Sequence, residues 1–211
     1  MIRVFLADDH PVVRKGLQRI LEEQPGISVV GEASDGNELL LSLQKLPADV
    51  MLLDVSMPGP GLVPLLQELR TAHPTLPVLV LSVHPEDQYA MRALRAGARG
   101  YLTKDHSPEE LVAAVRKVYR GGRYVSATLA ERLAAEFDAA GSSRAPHEDL
   151  SDREFEVLCL VGSGRSVTEV AATLGLSVKT VSTYRTRLLQ KMAATSNADL
   201  VRYVSTHGLM R

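Results

Sequence analysis

The sequence predicts an α/β fold for residues 1–120, a doubly wound parallel sheet of (βα)5 order, joined by a linker helix to an all-α domain. Three observations carry this prediction. Short apolar runs alternate with amphipathic stretches through the first 120 residues, the rhythm of strand and crossover helix. These runs are continuously apolar, as in strands covered on both faces. From Leu150 onward every pattern is helical.

Val4–Ala7, Ser28–Ala33, Val50–Leu53, Val78–Ser82 and Gly100–Leu102 read as the five strands. Between and after them, apolar residues recur at three-to-four spacing over Val12–Glu23, Gly36–Gln44, Val63–Ala72, Asp87–Ala96 and Pro108–Arg120, which predicts the five helices. Gly121 and Gly122 break the rhythm. An alanine-rich helix then covers Ala127–Phe137, and "AAGSSRAPHED" reads as a mobile tether. The expected division is 1–120, a linker over 121–148, and 149–211.

In the last segment, Ser151 followed three residues later by Glu154 is a capping box, and Gly162 and Gly164 end that helix. Val167–Leu174 forms a second helix. Gly175, Leu176 and Ser177 make a tight turn whose serine caps a third, from Val178 to about Met192. Two short helices joined through a glycine turn are the helix-turn-helix arrangement.

The formal net charge is -1, so no whole-chain field attracts nucleic acid or membrane, and such a partner must be met locally. No window reaches the roughly 18 uncharged apolar residues of a membrane span. The start, "MIRVFLADDH", reaches acids before any long apolar core and reads as no signal peptide, so a cytoplasmic protein is expected. Cys159, the only cysteine, cannot form an intramolecular disulfide and reads as a buried thiol.

Chemistry enters at the strand ends. Asp8 and Asp9 close the first strand, and Asp54 closes the third before the chain breaks on Pro58, Gly59, Pro60 and Gly61. In a doubly wound sheet the first and third strands can be neighbours, so three carboxylates converge where such folds bind ligands. Two like charges about 4 Å apart repel by about 4 kcal/mol at an effective dielectric near 20, so the cluster calls for a cation. Carboxylates with open positions suit Mg²⁺. Ser82 and Lys104, at the ends of the fourth and fifth strands, add a hydroxyl and an ammonium. Together these groups describe phosphoryl transfer, with Asp54 as nucleophile and Asp8 and Asp9 as metal ligands.

The set "LADDHPVVRKGL", "LLDVSMPG", "VLVLSVH" and "GARGYLTKD" resembles the receiver domain of bacterial two-component response regulators. That resemblance implies phosphorylation on Asp54, with Mg²⁺ held by Asp9, Asp54 and the backbone carbonyl of Ser56 and with Asp8 acting through water. It also implies that Ser82 and Lys104 bind the phosphoryl group and that Tyr101 moves on activation. Receivers often carry glycine three residues after "MP"; here Leu62 takes that place and Gly61 precedes it, so a different loop shape is expected.

On the third C-terminal helix, Val181, Leu188 and Met192 share one side, and Lys179, Thr183, Thr186 and Gln190 point outward. From Lys179 to Lys191 there are four cations (Lys179, Arg185, Arg187 and Lys191) and no acid. "LSDREFEVL", "GRSVTEVAATLGLSVKTV" and "RLLQKM" resemble the LuxR-type DNA-binding domain that is fused to receivers in the NarL/FixJ family. The resemblance implies four helices, with the last closing near His207. It also implies a double-stranded DNA partner met by Lys179, Thr180, Ser182, Thr183, Tyr184, Arg185, Thr186, Arg187 and Lys191. A sensor histidine kinase and a phosphorylation-dependent homodimer are further expected partners. Two rival readings stand beside this one: a Mg²⁺-dependent aspartyl phosphatase, which normally needs a second Asp where this chain has Ser56, and an adaptor acting through protein contacts alone.

Overall fold

The computed structural model describes residues 1–83, 86–138 and 145–209 and divides into two compact units, Met1–Ala140 and Gly141–Arg211. In the first unit five parallel strands, β1 (Ile2–Ala7), β2 (Ile27–Ala33), β3 (Val50–Asp54), β4 (Val78–Ser82) and β5 (Gly100–Thr103), form one sheet in the order β2-β1-β3-β4-β5. The order reverses between β1 and β3. The carboxyl ends of those two strands therefore border the crevice in which such sheets bind ligands.

The crossovers are α1 (Pro11–Glu22), α2 (Gly36–Leu43), α3 (Leu62–Ala72) and α4 (Glu86–Ala96), and α5 (Pro108–Tyr119) follows β5. Val4, Leu6, Val50, Leu52, Leu79, Leu81 and Leu102 form one core with Leu21 of α1 and with Leu111, Val112, Val115 and Val118 of α5. Their neighbours Phe5, Met51, Leu53 and Val80 point to the opposite face and are just as buried. Covering both faces is what makes the strands continuously apolar. Each fully buried leucine contributes about 1.5–3 kcal/mol.

Two local features depart from regular strand-and-helix order. The pairing of β1 with β2 slips between Val4 and Phe5, and a Cβ on Gly31 would run into the Phe5 ring, so glycine is needed at this approach. The loop after β3 folds onto the start of α2, where the Gly36 amide donates to the Pro58 carbonyl at 3.0 Å. Gly59 (φ 125°) lies so close to the Gly36 backbone that a side chain would be both strained and crowded. Gly61 (φ 87°) precedes α3, and Leu62 turns inward at its first position.

The helix expected in the linker is α6 (Ala127–Asp138), and it belongs to the first compact unit. Its Leu129 is buried, and the preceding Tyr124 pairs with Gly100 at the sheet edge. The Ser126 amide also donates to Glu86 at 3.4 Å. Residues 139–144 of the expected tether lie outside the described residues.

In the second unit a 3-10 turn (Pro146–Asp149), which no sequence pattern announced, precedes α7 (Asp152–Gly162), α8 (Val167–Leu174), α9 (Val178–Lys191) and α10 (Asn197–Thr206). Ser151 with Glu154, Ser166 with Glu169, and Ser196 with Asp199 form reciprocal caps on α7, α8 and α10. Phe155, Leu158, Val170, Val181, Leu188, Leu200 and Val204 make the core. Cys159 is buried among these helices.

Candidate functional site

At the carboxyl end of the sheet the structure assembles Asp8, Asp9, Asp54 and Lys104. Asp8 and Asp54 are almost wholly buried, at 1% and 3% exposure. Parallel pairing of β1 with β3 places them side by side, and pairing of β4 with β5 brings Lys104 to the same end. The Lys104 amide also donates to the Ser82 carbonyl at 2.7 Å, which anchors the turn that presents the ammonium.

Lys104 Nζ donates to Asp8 Oδ2 at 2.7 Å and forms an ion pair with Asp54 Oδ2 at 3.0 Å. Burial pushes the Asp54 carboxyl above the ordinary carboxylate range; Lys104 pulls against this, Asp8 adds to it, and the Ser56 amide opposes it. Both Asp54 oxygens and Asp9 Oδ1 are buried yet accept no hydrogen bond of good geometry among the described residues. These oxygens keep acceptor capacity beyond their contacts with Lys104 and His10.

One member was missed from the sequence. His10 Nδ1 approaches Asp9 Oδ1 at 2.7 Å, and its backbone amide donates to Asp8 Oδ1 at 2.8 Å. Ligand atoms of Asp8, Asp9, His10 and Asp54 all lie within 4.8 Å of one another. The signal was the third letter of "DDH", a histidine directly after two acids at a strand end. Oxygen-rich and partly exposed through Asp9, the cluster fits a hard divalent ion.

Ser82 is fully buried at the end of β4, one residue beyond the Leu81 that pairs with Asp54. Tyr101 is buried in β5 at 2% exposure, with its backbone amide donating to the Tyr124 carbonyl at 3.1 Å. Ser56 is half-buried, two residues past Asp54.

In the second unit, α8 and α9 meet through Gly175, whose left-handed backbone (φ 65°) turns the chain, and Ser177 caps α9. Val181 and Leu188 are fully buried and Met192 nearly so, while Lys179, Ser182, Thr183, Thr186 and Arg187 are exposed. Thr180, Tyr184 and Arg185 lie at the margin. Thr183 and Thr186 return their hydroxyls to the carbonyls of Lys179 and Ser182 at 3.0 Å.

Two of the expected DNA-facing cations are engaged within the domain. Arg185 Nε donates to Asn197 Oδ1 at 2.6 Å, and Lys191 Nζ pairs with the buried Glu154 carboxylate at 2.6 Å. Among the described residues Lys179 and Arg187 have no ion-pair partner, so the charge offered outward is concentrated on them.

Residues 4–116 match the response regulator receiver domain family, and residues 148–204 match the luxR family of bacterial regulatory proteins. The chain belongs to the two-component response regulators. It is 37% identical over 209 residues to the response regulator UvrY of Escherichia coli K12, covering 99% of this chain and 96% of that one. The response regulator GacA of Pseudomonas protegens is 39% identical over 210 residues, with 100% and 98% covered. A solved structure of RcsB from Salmonella enterica serovar Typhimurium, bound to promoter rprA with the phosphomimetic BeF3-, matches with a TM-score of 0.60 at 29% identity over 97% of this chain and 98% of that one.

This response regulator therefore joins a receiver to a LuxR-type DNA-binding domain in the NarL/FixJ manner and acts in transcription regulation. Both rival readings give way. The paired domains replace the phosphatase reading, and the LuxR-type match replaces that of an adaptor without DNA. Among the described residues no helix is long and apolar enough to cross a membrane.

Proposed function

We propose that Asp54 is the phosphoacceptor through which a histidine kinase, or a small acyl phosphate, controls DNA binding by this response regulator. The carrying observation is the buried Asp54 carboxylate, whose oxygens carry no well-aligned hydrogen bond among the described residues while Lys104 Nζ stands 3.0 Å from Oδ2. An Asp54 oxygen attacks phosphorus, and the bond from phosphorus to the donor's nitrogen or oxygen breaks, the leaving atom keeping its electron pair. Lys104 neutralises charge on the transferring group, and the Ser82 hydroxyl donates to one of its oxygens.

Asp9, Asp54 and the Ser56 carbonyl would hold Mg²⁺, with Asp8 oriented beside them by Lys104. When bound, the ion supplies positive charge for the equatorial oxygens. With these groups the receiver accelerates both its own phosphorylation and the hydrolysis that reverses it. Lys104 then exchanges its bond to Asp8 for the phosphoryl oxygens, Ser82 follows, and Tyr101 repacks, changing the outer face of α4 and β5.

Residues 1–120 act as the switch, 121–148 as the link and 149–211 as the reader of double-stranded DNA in the cytoplasm. One helix-turn-helix covers too little DNA for tight binding, so phosphorylation-dependent homodimers on paired half-sites are the active form. Lys179 and Arg187 contact phosphates; Thr180, Ser182, Thr183, Tyr184 and Thr186 face the groove. RcsB, a relative with the same two-domain architecture, has been solved on promoter DNA.

The test is selection of bound genomic DNA by wild type and Asp54→Asn, each with and without acetyl phosphate. Enrichment that rises with acetyl phosphate only for wild type supports the switch. Equal enrichment in all four arms removes it.

A further inference from the structure

At the opposite end of the sheet from Asp54, the amino ends of β4 and β5 border a cavity of about 650 Å³. Arg70, His73, Arg95, Arg99 and Arg123 line it, and no acid does. Arg70 and Arg95 lie in the last turns of α3 and α4, where a cation offsets the helix dipole, so structure alone accounts for these two.

Arg99 and Arg123 have no such explanation. Gly100 and Tyr124 form a parallel bridge, and the Tyr124 amide donates to the Arg99 carbonyl at 2.9 Å. The residues preceding the bridge on each segment are these two arginines, so the backbone register places like charges next to each other. Both are exposed, and among the described residues neither they nor Arg70 form an ion pair. Adjacent like charges repel, and this fold holds them at the mouth of one concave space. The remaining lining includes an aromatic ring: Tyr119 is 47% exposed, and Pro77 lines the same cavity.

We propose that this cavity binds a small ligand carrying a di- or triphosphate, a nucleotide in its simplest form. Guanidinium forks pair bidentately with phosphate oxygens, and several of them converge here. The volume lies within the usual range for small-molecule sites, roughly 300–1,000 Å³. Tyr119 supplies a face on which a base stacks. The ligand sits at the amino ends of β4, which closes on Ser82, and of β5, which Lys104 follows.

Isothermal titration of the full-length protein with ATP, pyrophosphate and adenosine tests this, in EDTA so that no metal-phosphate complex enters the Asp54 site. ATP and pyrophosphate should bind saturably with Kd below about 1 mM, and adenosine should not. The double variant Arg99→Ala/Arg123→Ala, both positions exposed, should weaken ATP by about tenfold or more with unchanged thermal stability. Tyr119→Ala should weaken ATP but leave pyrophosphate unchanged. Absence of saturable ATP and pyrophosphate binding, or ATP binding indifferent to the double variant, overturns the proposal. Asp54→Asn should bind ATP as wild type does, so failure here is separable from failure of the phosphoacceptor reading.

Discussion

Lys104 Nζ lies 3.0 Å from Asp54 Oδ2, yet its hydrogen bond goes to Asp8. The ammonium thus offsets two buried carboxylates at once while leaving the Asp54 oxygens open to attack phosphorus. Replacing it by an uncharged chain of similar length, Lys104→Met, removes both effects. Phosphorylation by acetyl phosphate, followed on a phosphate-affinity gel, should slow by about 10²–10³-fold, the scale of one lost electrostatic contact.

Asp54→Asn keeps the shape of the side chain and removes a buried charge that lies close to Asp8. Without divalent ion at neutral pH the variant should melt about 2–4 °C above wild type. Added Mg²⁺ should raise the wild-type melting temperature and leave the variant unmoved, as scanning calorimetry at several Mg²⁺ concentrations will show. A variant as responsive to Mg²⁺ as wild type removes Asp54 from the metal site.

Glu154 ties the start of α7 to the end of α9. Burial alone would raise its carboxyl, but the Lys191 ammonium and the Ser151 amide and hydroxyl bring it below the ordinary range. A carboxylate so lowered contributes stability above its unfolded value near 4.5, and this is lost as pH falls through the folded value. Glu154→Gln should cost about 1–2 kcal/mol at pH 7 by urea unfolding, with the gap to wild type closing in the acid range.

The cations of α9 should separate into two kinds. Lys179→Ala and Arg187→Ala should each weaken binding to any duplex and lower the slope of log affinity against log salt by about 1, with unfolding unchanged. Lys191→Ala should chiefly lower stability, because its ammonium pairs with Glu154 at 2.6 Å. Fluorescence anisotropy across a salt series, alongside urea unfolding, distinguishes them.

Gly162 lies so close to Val204 that an added Cβ would overlap its methyl groups. Gly162→Ala should therefore destabilise the DNA-binding domain by about 1–3 kcal/mol despite alanine's better helix propensity, measurable by urea unfolding.

The division of labour between sequence and fold is visible in particular residues. Five strands and their helices were legible because burial on both faces demands unbroken apolar runs such as Val50–Leu53, whose ends differ from the structure by a residue or two. Asp8, Asp9, Asp54, Ser82 and Lys104 were legible because polar groups at successive strand ends share one edge. His10 escaped because its place in the cluster depends on the path of the chain between β1 and α1. The α6 helix was read within a link; its contact with α4 and the nearby bridge between Tyr124 and Gly100 join residues far apart in the chain, so no local pattern encodes them.

The sequence by itself determined the (βα)5 rhythm, the caps of the C-terminal helices and the identities of the strand-end acids, since propensity, periodicity and short-range hydrogen bonds are local. Tertiary structure alone decided which carboxylate Lys104 bonds, that Arg185 and Lys191 turn to partners within the domain, and that Arg99 and Arg123 stand together over a cavity. Those outcomes rest on distances between residues far apart in the chain, and only the folded backbone sets them.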